Sequence, residues 1–168
     1  MSNYIGVPLL FLAAILNASV MPEFRLGEGA PDLVFLLVIS WALLADLPDA
    51  LTWAVLGGVL QDWLSITPLG TSALGLVVVA FTADTLFGQV SRRNLLIPPL
   101  VAAVGTVIYH IGVIGGLWLT GTSVPLGQGL FYVTLPTVIY NTILILPVFR
   151  LMGIVYRWLH PHRAPVVR

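Results

Sequence analysis

The chain has 168 residues, of which 58% are apolar and only 8% charged, and its mean hydropathy is +1.01. That composition excludes a water-solvated globular surface and points to the bilayer as solvent. Seven arginines balance seven acids, so nothing marks a nucleic-acid surface, and the lack of cysteine rules out disulfides, thiolate metal sites and cysteine catalysis.

At roughly 20 to 25 residues per span, the length suits one integral membrane domain over residues 1–168, an all-α bundle of about six helices. The first apolar run, 4–21, has no basic leader and no A-x-A-like cleavage site, so it is expected to be a retained anchor. Ala14 and Ala18 give it a small-xxx-small pair suited to helix packing. A Gly-Glu-Gly-Ala-Pro turn follows, and Asp32, after Pro31, opens the second run, 32–46, as a carboxylate favoured by the helix dipole. This run is short, roughly 21 Å, and therefore needs burial among its neighbours or local thinning of the bilayer.

The third run, 49–65, places Gly58 one turn before Asp62 on the same face, where a neighbouring helix is expected to come close. A carboxylate at membrane depth is costly unless paired or wet. A second reading therefore joins Asp32, Asp62, Glu23, Glu28 and Arg25 in one polar cluster at an outer mouth. The fourth run, 70–88, ends near Asp84, which is placed to pair with Arg92, Arg93 or an arginine of the last helix. The fifth, 95–120, carries a mid-helix His110 and a Gly112/Gly116 small-residue pair. The sixth, 130–158, contains Pro136 and Pro147, both expected to remove backbone donors and kink it.

Arginine placement predicts the orientation, because basic residues near helix ends favour the cytoplasm. With six spans and both termini inside, Arg92, Arg93, Arg150, Arg157, Arg163 and Arg168 are all cytoplasmic and only Arg25 is outside. Trp41, Trp53, Trp63, Trp118 and Trp158 are all expected near membrane interfaces, where indole prefers to lie.

No catalytic, cofactor-binding or metal-binding constellation emerges. His110 has no second ligand at a metal-binding spacing, and His160 and His162 flank Pro161 in the tail. No Gly-x-Ser-x-Gly elbow is present. A proton pathway would need ionisable groups across the midplane, whereas the acids gather at the two ends and only Asn17, His110 and Asn141 lie deeper. The sequence reads as a non-enzyme.

The stretch 31–75, PDLVFLLVISWALLADLPDALTWAVLGGVLQDWLSITPLGTSALG, resembles the rod shape-determining protein MreD family. The ordered features are Pro31-Asp32 before a leucine-rich helix ending in Trp-Ala-Leu, a short turn, Gly-x-x-x-Asp ending at Asp62, and a Ser-x-x-Pro-Leu-Gly loop at Pro68, Leu69 and Gly70. The resemblance implies a scaffold subunit of the bacterial elongation machinery in the cytoplasmic membrane, needed for cell shape. Such a subunit binds the single-span protein MreC and connects MreB filaments to the peptidoglycan polymerase and transpeptidase. It also implies a fold similar to the six-helix substrate-binding subunits of energy-coupling-factor transporters. The alternative is therefore a subunit that captures a vitamin or metal ion. In either case Pro31, Asp32, Asp62, Pro68, Leu69 and Gly70 are expected at an outer pocket or partner seat.

Overall fold

A computed structural model of the chain describes residues 2–65, 68–87, 94, 96–119, 121, 127 and 129–160. Among these residues there are six α-helices and no strand: α1 (Ser2–Ser19), α2 (Leu33–Leu44), α3 (Leu47–Trp63), α4 (Thr71–Phe87), α5 (Ile97–Leu119) and α6 (Leu135–Leu159). A 3-10 turn, Met21–Phe24, follows α1, and a π-helical segment, Gly129–Thr134, runs directly into α6. Pro136 lies in the first turn of α6, directly after the π-helical segment, and Pro147 further inside the helix; the Tyr132 carbonyl, four residues before Pro136, accepts the Glu28 N–H at 3.1 Å in place of the donor that proline lacks.

The short α2 is apolar on every side, and such a helix is stable only when surrounded. Nine of its twelve residues are buried and it touches all five other helices, so its lack of length is met by burial at the centre of the bundle. The bundle is apolar outside as well as inside. Ile5, Phe11, Leu12, Val78, Phe81, Val104, Ile111, Ile139, Ile143 and Leu151 are exposed, a surface suited to lipid and unsuited to water. By length and composition α5 and the segment Phe131–Leu159 can cross a membrane, whereas Ile5–Ser19, Leu33–Leu44 and Thr71–Phe87 are apolar but shorter.

Helices α3 and α4 cross in near contact at Gly58, where an added Cβ would strike the Cα and N of Ala73. The next crossing, α4 on α5, is lined by Gly75, Gly112 and Gly116. A Cβ at Gly112 would lie 3.5 Å from the Gly75 Cα, and one at Gly116 only 2.7 Å from the Thr71 methyl. Both glycines therefore face α4. On α1 the small pair divides, with Ala14 buried in the core and Ala18 exposed.

Two of the five tryptophans depart from the interfacial expectation. Trp41 and Trp53 are completely buried and stack on each other, with ring centroids 4.4 Å apart. Tyr156 packs edge-on against Trp41 at 5.6 Å and stacks on His160 at 4.6 Å. These rings tie α2, α3 and α6 together at the end opposite Asp32. Their flat faces fill more core volume than an interfacial position would allow, and that gain outweighs wetting the indole N–H groups. Trp63, Trp118 and Trp158 are exposed near helix ends. Trp53→Ala would open a large void in this stack and is expected to destabilise the fold by about 3–5 kcal/mol. Melting curves in detergent test this, and a parent-like curve would refute the packing role.

Candidate functional site

The up-and-down order of the helices brings the C-terminal ends of α1, α3 and α5 together with the N-terminal ends of α2, α4 and α6. Most of the buried polar groups of the bundle meet there. Asp32 is the N-cap of α2, and its Oδ1 accepts the Phe35 N–H at 2.9 Å. The same oxygen accepts from Asn17 Nδ2 of α1 at 2.8 Å, and Oδ2 accepts from Gln61 Nε2 of α3 at 3.0 Å. Asn17 Oδ1 in turn accepts the Leu33 N–H at 2.9 Å. The Asp32 N–H donates to Asn141 Oδ1 of α6 at 3.1 Å, and Asn141 Nδ2 donates to Thr106 Oγ1 of α5 at 3.1 Å. One aspartate thus joins three helices through its side chain and a fourth through its backbone. A free helix N-terminus inside an apolar bundle needs such acceptors.

Asp62 does different work. Its side chain is 2% exposed, and it accepts the Gly70 N–H at 2.7 Å and the Ser72 N–H at 3.1 and 3.2 Å. It therefore caps α4 from the end of α3, and Gly70 reaches its position with a φ of +95°, which favours glycine. Pro68 accepts the Thr71 N–H at 3.2 Å and closes the turn, while Leu69 is 67% exposed at its tip. Pro31 is buried.

Asp32 and Asp62 thus hold separate joints of the bundle. Glu23, Arg25 and Glu28 do not complete the single cluster considered from the sequence. All three are exposed, on a connection fastened to the π-helical segment by the Glu28 N–H, which donates to the Tyr132 carbonyl at 3.1 Å. The Tyr140 hydroxyl also holds this connection, donating to the Phe24 carbonyl at 2.7 Å. Arg150 and Arg157 are exposed towards the opposite end, on α6. Arg92, Arg93, Arg163 and Arg168 lie outside the described residues, so the pairing expected between Asp84 and the 92–93 turn does too.

A cavity of about 300 Å³ opens beside Asp32. Gln61, Ser65, Ser72, Tyr109, His110 and Thr134 supply its polar wall, and Val113, Ile114, Leu117 and Val133 its apolar one. His110 is positioned by Thr134, whose Oγ1 lies 2.9 Å from Nδ1. Among the described residues no group of three or more His, Asp or Glu is arranged to hold a metal ion. Asn17, His110 and Asn141 were visible in the sequence as deep polar residues. Gln61, Ser72 and Tyr109 were not, because each becomes significant only through the helix facing it.

The profile of the rod shape-determining protein MreD family matches residues 2–159. The chain belongs to the MreD family. It is accordingly a membrane protein of the rod shape-determining system, a structural component of that system, and its apolar exterior agrees with that setting. Comparisons with curated proteins and with solved structures return no match. The six residues singled out from the sequence, Pro31, Asp32, Asp62, Pro68, Leu69 and Gly70, fall at the end of the bundle described above.

Because the Asp32 carboxylate serves internal donors, Asp32→Ala is expected to act on the fold itself. Three donors lose their acceptor, and the expected loss is on the order of 2–3 kcal/mol, read as an earlier melting transition in detergent. Unchanged melting would show that these donors find water instead.

Proposed function

We propose that this chain is a non-enzymatic, multi-pass scaffold subunit of the bacterial cell-elongation complex in the cytoplasmic membrane. It crosses the bilayer six times with both termini in the cytoplasm, so that the Asp32 end faces outward. It binds MreC and, with it, links MreB filaments to the peptidoglycan polymerase and transpeptidase. The family match over nearly the whole chain carries this reading. The geometry supports it in two ways. The acids Asp32 and Asp62 are engaged in holding helices together, which suits a rigid adaptor. The wide apolar exterior offers helix faces on which a single-span partner can lie.

Copurification with MreC from native membranes tests the proposal. Bulky substitutions on the lipid-exposed side of each helix in turn should leave the chain folded and abolish the complex on one face only. A chain that stays free of MreC in every preparation would overturn it. The orientation has its own test, since the sequence contains no cysteine. A cysteine introduced at Arg25 should react with an impermeant maleimide on intact cells, and one at Arg157 should react only after lysis. The reverse pattern would invert the topology.

A further inference from the structure

The apolar outer surface of the bundle is unequal in height. On α3 the exposed apolar positions run through Val55 and Val59 to Trp63, an indole of the kind that anchors at an interface. The other end of this stripe is closed by Asp49 in the first turn and by the exposed N-cap Asp46. Trp63 lies fourteen residues after Asp49, a rise of about 21 Å, whereas the hydrocarbon core of a bilayer is about 30 Å thick. Counted away from the Gly58–Ala73 contact, Leu47 on α3 and Asp84 on α4 are equally distant, roughly 16 Å. Asp46, Asp49 and Asp84 therefore stand near one level, well short of a full bilayer from Trp63.

The α5 side is different. Leu100, Val104, Val107, Ile111 and Trp118 are exposed, and the helix has no Asp, Glu, Lys or Arg over its length of about 33 Å. A helix too long for the bilayer can tilt, but one too short gains nothing by tilting. Long basic side chains relieve a shortfall by snorkelling, yet residues 46–65 contain no lysine or arginine, and an aspartate has a single methylene to reach with. The small residues of α3, Ala50, Ala54, Gly57 and Gly58, are all buried in its own bundle. Valine and leucine are left facing outward, a surface better suited to acyl chains than to the close approach of another helix.

We propose that α3 forms a thin flank, beside which the bilayer is drawn in by roughly 9 Å and phospholipids with short acyl chains gather. The α5 side keeps a bilayer of ordinary or greater thickness. This inference rests on α3 crossing the membrane, as in the reading above, and is independent of MreC binding.

The test uses the whole chain in vesicles of equal parts dimyristoleoyl and dierucoyl phosphatidylcholine, with the double bonds of one or the other lipid brominated. The chain has no cysteine, so a bimane label at Val55→Cys on α3 or Ile111→Cys on α5 reports by its quenching which lipid touches it. The Gly58–Ala73 and Gly75–Gly112 contacts place these two positions at similar depth. Val59→Cys and Val104→Cys serve as second sites, and only variants that melt like the parent are read. The ratio of short-chain to long-chain quenching is expected to be at least about twofold higher at Val55 than at Ile111. Asp49→Leu, alone or with Asp46→Leu, lengthens the apolar stripe and should bring the Val55 ratio towards that at Ile111. Equal ratios at the two labels, or a Val55 ratio unchanged by removal of the acids, would overturn the thin flank alone. No quenching at Val55 by either lipid would show that α3 is not in contact with lipid, and the proposed topology would then fall with it.

Discussion

Gly58→Leu is expected to destabilise the chain by at least about 3 kcal/mol, or to prevent assembly of the bundle. Overpacking usually costs less, because a side chain can move aside. Here the obstacle is the backbone of Ala73, and α3 and α4 would have to separate along their whole crossing. That separation would also pull Asp62 away from the start of α4. The control is Gly115→Leu on α5, where an added Cβ meets nothing within 4 Å. It should melt at or above the parent temperature, since leucine favours helix over glycine by several tenths of a kcal/mol. Equal melting of the two variants would show that the α3–α4 approach is not required.

Asp62→Ala should come next in size. It removes an acceptor shared by the Gly70 and Ser72 N–H groups, at a site that is 2% exposed. Stranding two donors there is expected to cost about 2–4 kcal/mol. Asp62→Asn keeps one acceptor oxygen and should lose roughly half as much. The pair also discriminates between roles. If Asp62 acts as a cap, the asparagine variant retains cell-shape function in proportion to its stability. If Asp62 carried protons, the same variant would be inactive while folded. Melting curves combined with complementation of cell shape separate these outcomes.

The limits of the helices were largely legible in the sequence. Proline, glycine and charge clusters interrupt the apolar runs, and the observed ends lie within a few residues of those breaks. Asp32 was recognisable as a helix-capping carboxylate because Pro31 and the following apolar run announce a helix start. The π-helical segment before α6 was not legible, since no local residue pattern distinguishes it from ordinary helix. The burial of Trp41 and Trp53 was missed for a related reason. Their positions beside the 46–49 turn suited an interface equally well, and it is the facing helices that cover them, α6 with Tyr156 against Trp41 and α1 with Gly6 against Trp53.

The sequence by itself determined that the chain is helical, apolar and divided into six segments, and it pointed to the family through an ordered set of motif residues. These properties reside in composition and in local breaks, which no tertiary contact needs to supply. Only the tertiary structure decided that Asp32 and Asp62 hold different joints, that α2 lies at the centre, and that Gln61, Asp32 and one face of α5 enclose a cavity. In a chain apolar on nearly every face, hydropathy is the same for a surface turned to lipid and one turned to a sister helix. The choice between them is made by close packing and by the few polar groups that must find each other.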